Sequence, residues 1–210
     1  MSGTEPQWLI WAREIQGVAQ TGLAFSKDPY DLERYHALRD LSVRIVREHT
    51  GVDPVRIADL FASDTGYASP KLGVRAGVFD ADGRILMVRE TSDGGWTLPG
   101  GWGEVNQTPA ESVVREVFEE SGYRVRPIKV AAVWDRSRQG HPASPVSVAK
   151  VMFVCALEGG TPTPSLETSE IAWFAEADVP SDLSLRRTLP HQIARMFAHW
   201  RDPSLPTEFE

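Results

Sequence analysis

The chain has 210 residues, of which 41% are hydrophobic and 24% are charged, and its formal net charge is −7. This composition is typical of a folded globular protein and excludes a disordered chain. The negative charge speaks against non-specific binding to nucleic acid or to an anionic membrane, because both need a basic surface. The length fits one large domain, or a domain of about 130–150 residues with a smaller partner.

The single cysteine, Cys155, lies in the apolar run VMFVCAL. This position predicts a buried strand residue in a reducing compartment, without disulfides or a thiolate metal site. The first residues lack the basic and apolar regions of a signal peptide, and no apolar run approaches the roughly 20 residues that span a bilayer. We therefore expect a soluble, cytoplasmic protein.

The first part of the chain predicts two amphipathic helices and a shorter one. The first covers residues 7–24, the second begins at Asp28-Pro29 or at Asp31 and ends at Gly51, and the third covers residues 54–62. Helical spacing predicts buried stripes made of Trp8, Trp11, Ala12, Ile15, Val18 and Ala19 in the first helix, and of Leu32, Tyr35, Leu38, Leu41 and Ile45 in the second.

The segment SDTGYASPKLG is rich in serine, glycine and proline and is typical of a linker. It predicts a small N-terminal helical domain over residues 1–66 and a second domain over residues 67–210. A pair of small helices cannot bury its apolar stripes alone. The first domain is therefore expected either to form a homodimer or to cover the active site.

The second domain begins with two short β-branched runs, GVRAGVFD and RILMVRE, joined by the hairpin signal ADGR. Further strands are predicted over residues 126–135, 148–157 and 171–174. One helix lies between the strands, and another is predicted over residues 185–200. This order indicates an α+β fold with a mixed sheet and α/β/α layering.

The helix between the strands has clear limits. Thr108 can cap it, Pro109 fits the first helical position, Glu111 completes a capping box, and Gly122 ends it. Its apolar stripe consists of Ala110, Val113, Val114 and Val117.

The last two turns of this helix carry Glu116, Glu119 and Glu120. Glu116 and Glu120 are four residues apart and repel each other by a few tenths of a kcal/mol, near the helix end where the dipole also disfavours anions. We expect both to point away from the core, without a cation in the helix, because Arg115 is spaced to pair with Glu111 or Glu119. A solvated charged face is the ordinary explanation of such a run.

The loop before the helix, LPGGWG over residues 98–103, favours another explanation. Its glycines let the backbone approach a ligand closely, and its carbonyls lie near the three carboxylates in sequence. Mg²⁺ and Mn²⁺ prefer such all-oxygen sites and complete their shell with phosphate oxygens. Two carboxylates repel by roughly 1–3 kcal/mol at an effective dielectric near 20, and a divalent ion between them reverses the sign.

The loop and the helix together resemble the Nudix box, G-x5-E-x7-R-E-U-x-E-E-x-G-U. Gly101, Gln107 and the run REVFEESGY over residues 115–123 stand at the box positions. The resemblance implies a Nudix α/β/α sandwich and Mg²⁺- or Mn²⁺-dependent hydrolysis of a nucleoside diphosphate linked to another group. By position, it implies metal ligands at Glu116, Glu119, Glu120 and the Gly100 carbonyl, with Arg115 orienting the carboxylates.

Two positions depart from the box. Gln107 stands where the family has its first glutamate, and a neutral amide cannot act as a base and is a weaker metal ligand. The resemblance implies lower metal affinity before any loss of activity, and Glu104 is a possible substitute. Tyr123 in place of an aliphatic residue is a mild departure.

The resemblance extends to a bacterial Nudix subgroup with an extra N-terminal helical domain. The runs that carry it are QWLIWAREIQGVAQTGLAFSKDPYDLERY, WDRSRQGHPASP and the tail around LSLRRTLPHQIARMF. The subgroup includes CDP-choline pyrophosphatase and enzymes assigned to ADP-ribose. The resemblance thus implies a nucleoside-diphosphate-linked small molecule as substrate.

Several residues outside the box are candidates for substrate contact. Trp134 and Arg136 end a strand, where an aromatic ring and a cation could stack a base and hold phosphate, although a core tryptophan explains the pattern equally well. Trp102 lies inside the box loop. The general base is open between Glu120 and Glu167, and a surface-loop acid is the alternative for Glu167. Arg186 and Arg187 are expected at the start of the last helix.

Three functions remain compatible with these residues. The first is a metal-dependent pyrophosphohydrolase of the CDP-choline or ADP-ribose type. The second is a nucleoside triphosphate or RNA-end hydrolase, which would release pyrophosphate or shorten RNA. The third is a catalytically weak sensor of a nucleotide metabolite, which Gln107 favours and the three intact glutamates oppose.

Overall fold

The computed structural model describes residues 5–210. They form two compact units, of which one comprises the described part of Met1–Pro70 together with Ala143–Ser147. The other comprises Lys71–Pro142 and Val148–Glu210. The boundary between residues 66 and 67 stays a prediction.

The first unit contains three helices: α1 (Gln7–Phe25), α2 (Pro29–Thr50) and α3 (Pro54–Ala62). The Asp28 side chain accepts hydrogen bonds from two backbone N–H groups at the start of α2, and Gly51 ends that helix with a φ of 67°. The aspartate cap, the proline in the first turn and the left-handed glycine are the local signals on which the sequence prediction was based. The positions of these helices are confirmed.

The predicted buried stripes of α1 and α2 are wrong in detail. In α1, Trp11 and Val18 are exposed, and in α2 Leu41 is exposed. Polar residues take part in the helix contacts instead: Ser42 Oγ donates to the Ala12 carbonyl at 2.7 Å, and Gln16 Nε2 donates to the Phe61 carbonyl at 3.3 Å. The apolar pattern missed them because a satisfied polar side chain can be buried at small cost. The buried residues are Leu9, Ala12, Gln16, Ala19 and Gln20 in α1, and Ser42, Val43 and Val46 in α2.

The second unit is built on one seven-stranded sheet. Six strands follow the order β3-β2-β1-β5-β4-β7, and β6 pairs with β2. The β1–β5 and β4–β7 pairs are parallel and the other pairs are antiparallel, so the sheet is mixed, as predicted. The strands are β1 (Lys71–Phe79), β2 (Ile85–Glu90), β3 (Trp96–Thr97), β4 (Tyr123–Asp135), β5 (Val148–Gly160), β6 (Thr168–Phe174) and β7 (Glu208–Phe209).

One helix covers each face of this sheet. Helix α4 (Pro109–Ser121) buries Val113 and Val117 in a cluster that includes Val74 of β1. Helix α5 (Pro190–Arg201) buries Met196 in a second cluster, which includes Phe79 of β1. Because alternate strand residues project to opposite faces, the two clusters lie on opposite sides of the sheet. The α/β/α layering is confirmed.

The last helix begins five residues later than predicted. Leu189 is extended, with φ −112° and ψ 152°, and Pro190 occupies the first turn. A proline disfavours helical geometry in the residue before it, so the helix cannot extend back through Leu189. The backbone from Ser184 to Thr188 forms a separate turn, with both Arg187 N and Thr188 N bonded to the Ser184 carbonyl. Arg186 and Arg187 lie in this turn, so the expectation that they begin the last helix is wrong.

Two further expectations concern the cysteine and membrane-spanning helices. Cys155 is 2% exposed inside β5, and burial raises the pKa of its thiol to about 12. In the part of the chain that the structure describes, no helix combines the length and the apolar character needed to cross a bilayer.

Candidate active site

The glycine loop over residues 98–103 lies along β1 and is held by its backbone. Val74 N donates to the Gly101 carbonyl and Ala76 N to the Pro99 carbonyl, each at 2.9 Å. Gly103 N donates to the Leu72 carbonyl, also at 2.9 Å. The loop therefore extends the sheet beside the first half of β1, while β2 pairs with β1 only at its far end, through Phe79 and Ile85.

The two central glycines of the loop are required by close contacts. Gly100 has a φ of 141°, and a Cβ there would lie 2.2 Å from the Val74 carbonyl oxygen. A Cβ on Gly101 would lie 2.5 Å from the carboxylate of Glu116. The predicted approach of the glycine backbone to the acidic helix is thus present, and any side chain at either position would disturb it.

Glu120 is buried against this loop. The Gly100 N–H donates to Glu120 Oε2 at 2.8 Å, and the residue is 5% exposed. Burial raises the pKa of the Glu120 carboxyl to about 7, while the nearby Arg75 guanidinium and the Gly100 N–H act in the opposite direction. The expectation that Glu120 points away from the core is therefore wrong, because the side chain enters the space between α4 and the loop.

Arg115 connects the carboxylates of α4. Its Nη2 donates to Glu116 Oε1 at 2.9 Å and its Nη1 donates to Glu119 Oε2 at 2.6 Å. The sequence expectation that Glu116 has no cation partner within the helix is wrong, because the long arginine side chain reaches its immediate neighbour. Burial of the Glu116 carboxyl raises its pKa, and Arg115 partly offsets this rise.

The side-chain oxygen of Gln107 accepts a hydrogen bond from Arg115. Arg115 Nε donates to Gln107 Oε1 at 3.1 Å, and Ser112 Oγ donates to the same oxygen at 3.4 Å. Since Arg115 can only donate, the amide oxygen and not the amide nitrogen must face it. The amide thus keeps the orienting contact that a carboxylate would make, without its charge.

The donor groups at this place suit a divalent cation that prefers oxygen. Glu116 and Glu120 flank the glycine turn, and the Gly100 carbonyl accepts no hydrogen bond from the part of the chain that the structure describes. Within residues 5–210, no three carboxylate, imidazole or thiol groups converge closely enough to bind an ion through side chains alone. Glu119 is exposed and paired with Arg115, so its role as a ligand stays a prediction.

A partly buried ion pair next to the carboxylates was not anticipated from the sequence. Glu90, at the end of β2, is 3% exposed, and its Oε1 accepts from Arg187 Nε at 2.7 Å. Arg75 of β1 is also buried and donates to the Leu98 carbonyl at 2.9 Å. Burial raises the pKa of both Glu90 and Glu120, and the charge of Arg75 opposes both rises, so this guanidinium connects the two carboxylates electrostatically. The available signal was a charged residue inside each of two apolar strands.

A second unanticipated group is centred on Lys150 of β5. Lys150 Nζ lies 3.2 Å from His141 Nε2 and also donates to the Arg187 carbonyl. His141 Nδ1 lies 2.7 Å from the Leu185 carbonyl, which can only accept, so the ring proton is on Nδ1 and Nε2 is the acceptor. Burial and the charge of Lys150 lower the pKa of His141 to about 3. The imidazole is therefore neutral.

The other predicted substrate contacts are scattered. Trp102 is 56% exposed at the end of the glycine loop. Trp134 is 5% exposed and belongs to the core cluster under α5, which favours the core alternative for this residue. Arg136 is buried in a short 3₁₀ turn after β4. Glu167 is exposed, and its backbone carbonyl accepts from Thr91 N at 2.9 Å. The structure thus brings Glu116, Glu120 and the glycine loop together, and their individual roles stay predictions.

Comparisons with known proteins agree with this architecture. Residues 69–199 match the model of the NUDIX domain, and residues 6–61 match a model described as a UDP-X-like, N-terminal oligomerisation domain. The Bacillus subtilis (strain 168) protein YjhB, which carries the provisional name of an ADP-ribose pyrophosphatase, is 40% identical over 210 residues and covers 100% of both chains.

Two solved structures are also similar. The crystal structure of a UDP-X diphosphatase is 28% identical, with a TM-score of 0.62 over 97% of this chain and 98% of that one. The crystal structure of an ADP-ribose pyrophosphatase from Streptococcus suis 89-1591 is 37% identical, with a TM-score of 0.61 over 68% of this chain and 100% of that one. Family match, full-length relative and fold agree, and the chain therefore belongs to the Nudix family of hydrolases.

Proposed function

We propose that this Nudix hydrolase is a Mg²⁺- or Mn²⁺-dependent pyrophosphohydrolase, which cleaves the diphosphate of a nucleoside diphosphate linked to another group, of the ADP-ribose or CDP-choline type. The proposal rests on one observation: the side chains of Glu116 and Glu120 lie directly against the glycine turn at Gly100 and Gly101. The names of the similar proteins, which refer to ADP-ribose and to UDP-X, support the substrate class.

Glu116, Glu120 and the Gly100 carbonyl would hold the metal ion, with Glu119 as a further ligand. When bound, the ion would supply charge neutralisation for the diphosphate and activation of water. The protein's own part is to keep the ligands oriented. The Gly100 N–H fixes one oxygen of Glu120, and Arg115 fixes Glu116. Gln107 supports this arrangement by accepting from Arg115, and Ser112 donates to the same Gln107 oxygen.

The substrate would lie on the exposed side of the glycine loop, where Trp102 offers an aromatic surface for stacking. Arg136 remains a proposed phosphate contact. For the general base, Glu120 and Glu167 remain the two candidates. Glu167 has an exposed side chain on a loop that Thr91 anchors, and its charge raises the pKa of the buried Glu90. This coupling supports a position for Glu167 near the site.

Turnover with a panel of substrates tests the proposal. With Mn²⁺, we expect hydrolysis of ADP-ribose, CDP-choline or a UDP-linked sugar, with a nucleoside monophosphate among the products. Release of pyrophosphate from nucleoside triphosphates, or shortening of RNA ends, would instead show the alternative hydrolase. Tight binding without any turnover would show a sensor. The preserved contacts of Gln107 argue against this last outcome.

We also propose that the first unit, α1–α3, forms a homodimer, since its matching model is described as an oligomerisation domain. Trp11 and Val18 expose more than half of their surface on α1, and Phe25 exposes 66%. Aromatic residues of this kind are typical of protein interfaces. Light scattering after size exclusion should give twice the chain mass, and Trp11→Ser combined with Phe25→Ser should reduce it. Covering of the active site remains the alternative role.

A further inference from the structure

Four residues lie in one row across the sheet of the second unit. Lys150 of β5 pairs in register with Gly73 of β1 on one side and with Trp134 of β4 on the other. Gly73 also forms a bridge with Trp102 of the glycine loop. Residues paired in register project to the same face of a sheet, and neighbouring strands are about 4.8 Å apart. The exposed Trp102 and the buried Lys150 therefore flank Gly73 on one face.

Gly73 leaves a gap in this row. A Cβ at Gly73 would lie 3.4 Å from Val148 Cγ1 and 3.8 Å from the Gly101 carbonyl oxygen. These are ordinary contact distances, so the backbone does not require glycine and an alanine would fit. Because Gly73 has no side chain, the backbone between the loop and Lys150 is open at this position. Glycine is often found where a ligand approaches the backbone closely.

The charge of Lys150 has no counter-charge in this row. The residue is 5% exposed, and in residues 5–210 it takes part in no ion pair; its Nζ faces the Arg187 carbonyl and His141 Nε2, both of which are neutral. Burial and the charges of Arg75 and Arg136 lower its pKa. Buried charges in proteins are normally paired, since an unpaired one is strongly disfavoured. A bound anion would supply the missing charge.

The contact with His141 also leaves donor capacity unused. Gln192 Nε2 and Lys150 Nζ both lie 3.2 Å from His141 Nε2, which offers one lone pair. One of the two donors is therefore incompletely bonded. An ammonium group has three N–H donors, so Lys150 can turn at least one of them to a ligand without losing the Arg187 carbonyl.

Arg75 connects this row to the carboxylates. It lies on β1 two residues after Gly73, which places both on the same face. Burial is the main cause that lowers the pKa of Lys150 and raises the pKa of Glu120; the charge of Arg75 adds to the first shift and opposes the second, so the guanidinium lies within electrostatic reach of both groups. Arg75 is therefore the cation through which this row, on the α5 side of the sheet, is coupled to the carboxylates of α4 on the other side.

We propose that Lys150 and Arg75 form an anion subsite beside Gly73, which takes the phosphate of the nucleotide half of the substrate. The inference rests on the proposed function, because the diphosphate substrate supplies this phosphate. The subsite adds a binding group outside the Nudix box.

The first test is metal-free binding, measured by calorimetry in EDTA with AMP, UMP and inorganic phosphate as probes. We expect Lys150→Met to weaken nucleotide binding about tenfold or more, since a charge-assisted contact to phosphate is lost. Lys129→Met is the matched control: it removes a half-buried lysine on β4 that donates to the Pro203 and Leu205 carbonyls, and it should leave binding unchanged. If inorganic phosphate loses affinity in parallel, the subsite recognises the phosphate group itself. Equal affinity of wild type and Lys150→Met for all probes would overturn the inference.

The second test is kinetic and uses the full chain with Mn²⁺. Lys150→Met should raise KM by about 10- to 100-fold and change kcat by less than about threefold, because a contact made equally in the ground and transition states is removed. A normal KM with a lower melting temperature would show a structural lysine and contradict the proposal. Gly73→Ala keeps every charge and fits the backbone, and it should also weaken nucleotide binding. It therefore decides the question if Lys150→Met does not fold.

These tests separate the inference from the proposed function. Lys150-dependent nucleotide binding without any turnover would remove the proposed activity and leave the subsite. Normal turnover with unchanged KM and binding in both variants would remove the subsite and leave the activity.

Discussion

The Gly100 N–H donates to Glu120 Oε2 at 2.8 Å, and this bond joins the glycine loop to the C-terminal half of α4. The loop is held from the other side by β1, through hydrogen bonds from Val74 and Ala76. Glu120 is therefore fixed by the sheet as well as by its own helix. Burial raises the pKa of the Glu120 carboxyl to about 7, and the Arg75 cation and the Gly100 N–H limit this rise.

Glu120→Gln should lower kcat with Mn²⁺ by about 100-fold or more, because one metal ligand loses its charge. The fold should persist, since an amide can still accept from Gly100 N. Glu111→Gln on the same helix is the control, because glutamine also completes a capping box. It should retain nearly full activity. An unchanged rate in Glu120→Gln would remove this residue from the site.

The same variant has a predicted pH signature. The folded-state pKa of Glu120 is raised to about 7 from 4.5, so the folded state binds more protons than the unfolded state between these values. Stability of the metal-free protein should therefore fall as pH rises from about 4.5 to 7 through this group. Urea unfolding in EDTA should show a smaller decrease for Glu120→Gln than for wild type. If Mn²⁺ binds at Glu120, adding the ion should reduce the loss of stability that the wild type shows as pH rises.

Gln107→Glu should keep activity within about threefold of wild type, because a carboxylate would accept from Arg115 as the amide does, with a stronger charge-assisted bond. Gln107→Leu removes the acceptor and should lower activity by about 10- to 100-fold, as is typical for residues that orient metal ligands. Apparent Mn²⁺ affinity should follow the same order in a metal titration. Similar activity of both variants would show that this contact does not orient Arg115.

Gly100→Ala should prevent stable folding or cost several kcal/mol, because the new Cβ would lie 2.2 Å from the Val74 carbonyl oxygen in a backbone conformation that favours glycine. Gly94→Ala is the matched control. Gly94 also has a positive φ, of 70°, but nothing lies within 4 Å of its Cβ position, so the expected cost is about 1–2 kcal/mol. Chemical denaturation of both variants measures the difference, and equal losses would show that the contact with β1 is not what requires glycine at this position.

Arg187→Met should destabilise the protein by about 3–5 kcal/mol, because it leaves the buried Glu90 carboxylate without its partner. Adding Glu90→Gln should recover part of this loss, since the uncompensated charge is removed. A double-mutant cycle by urea unfolding measures the coupling. Strict additivity of the two substitutions would contradict a direct interaction.

Acid should destabilise the protein through His141. Its folded-state pKa is lowered to about 3 from 6.5, so the unfolded state takes up a proton first and stability is lost as pH falls from about 6.5 towards 3. His141→Gln should flatten this part of the stability curve, and His36→Gln on an exposed position of α2 should not. Parallel curves for wild type and His141→Gln would mean that the imidazole is not buried in its neutral form.

Local signals were sufficient for most helix and strand positions. Asp28, Asp53 and Thr108 cap helices through short-range hydrogen bonds, and Gly51 and Gly122 end them in the left-handed conformation. These interactions involve residues two to four positions apart, so the sequence states them directly. The predicted stripe of α1 failed for the opposite reason. Which residues of α1 are buried depends on partners in other helices: the Phe61 carbonyl of α3 accepts from Gln16, and the Ser42 hydroxyl of α2 donates to the Ala12 carbonyl.

The sequence by itself determined the helix caps, the order of helices and strands, and the spacing that joins a glycine turn to an acidic helix, because each depends on neighbours along the chain. Only the tertiary structure decided the burial of Glu120, the pairing of Glu90 with Arg187, and the row formed by Lys150, Gly73 and Trp102. Those relationships depend on strand register and on desolvation by distant segments. Strand pairing, which brings residues more than 70 positions apart into contact, is the physical reason for the difference.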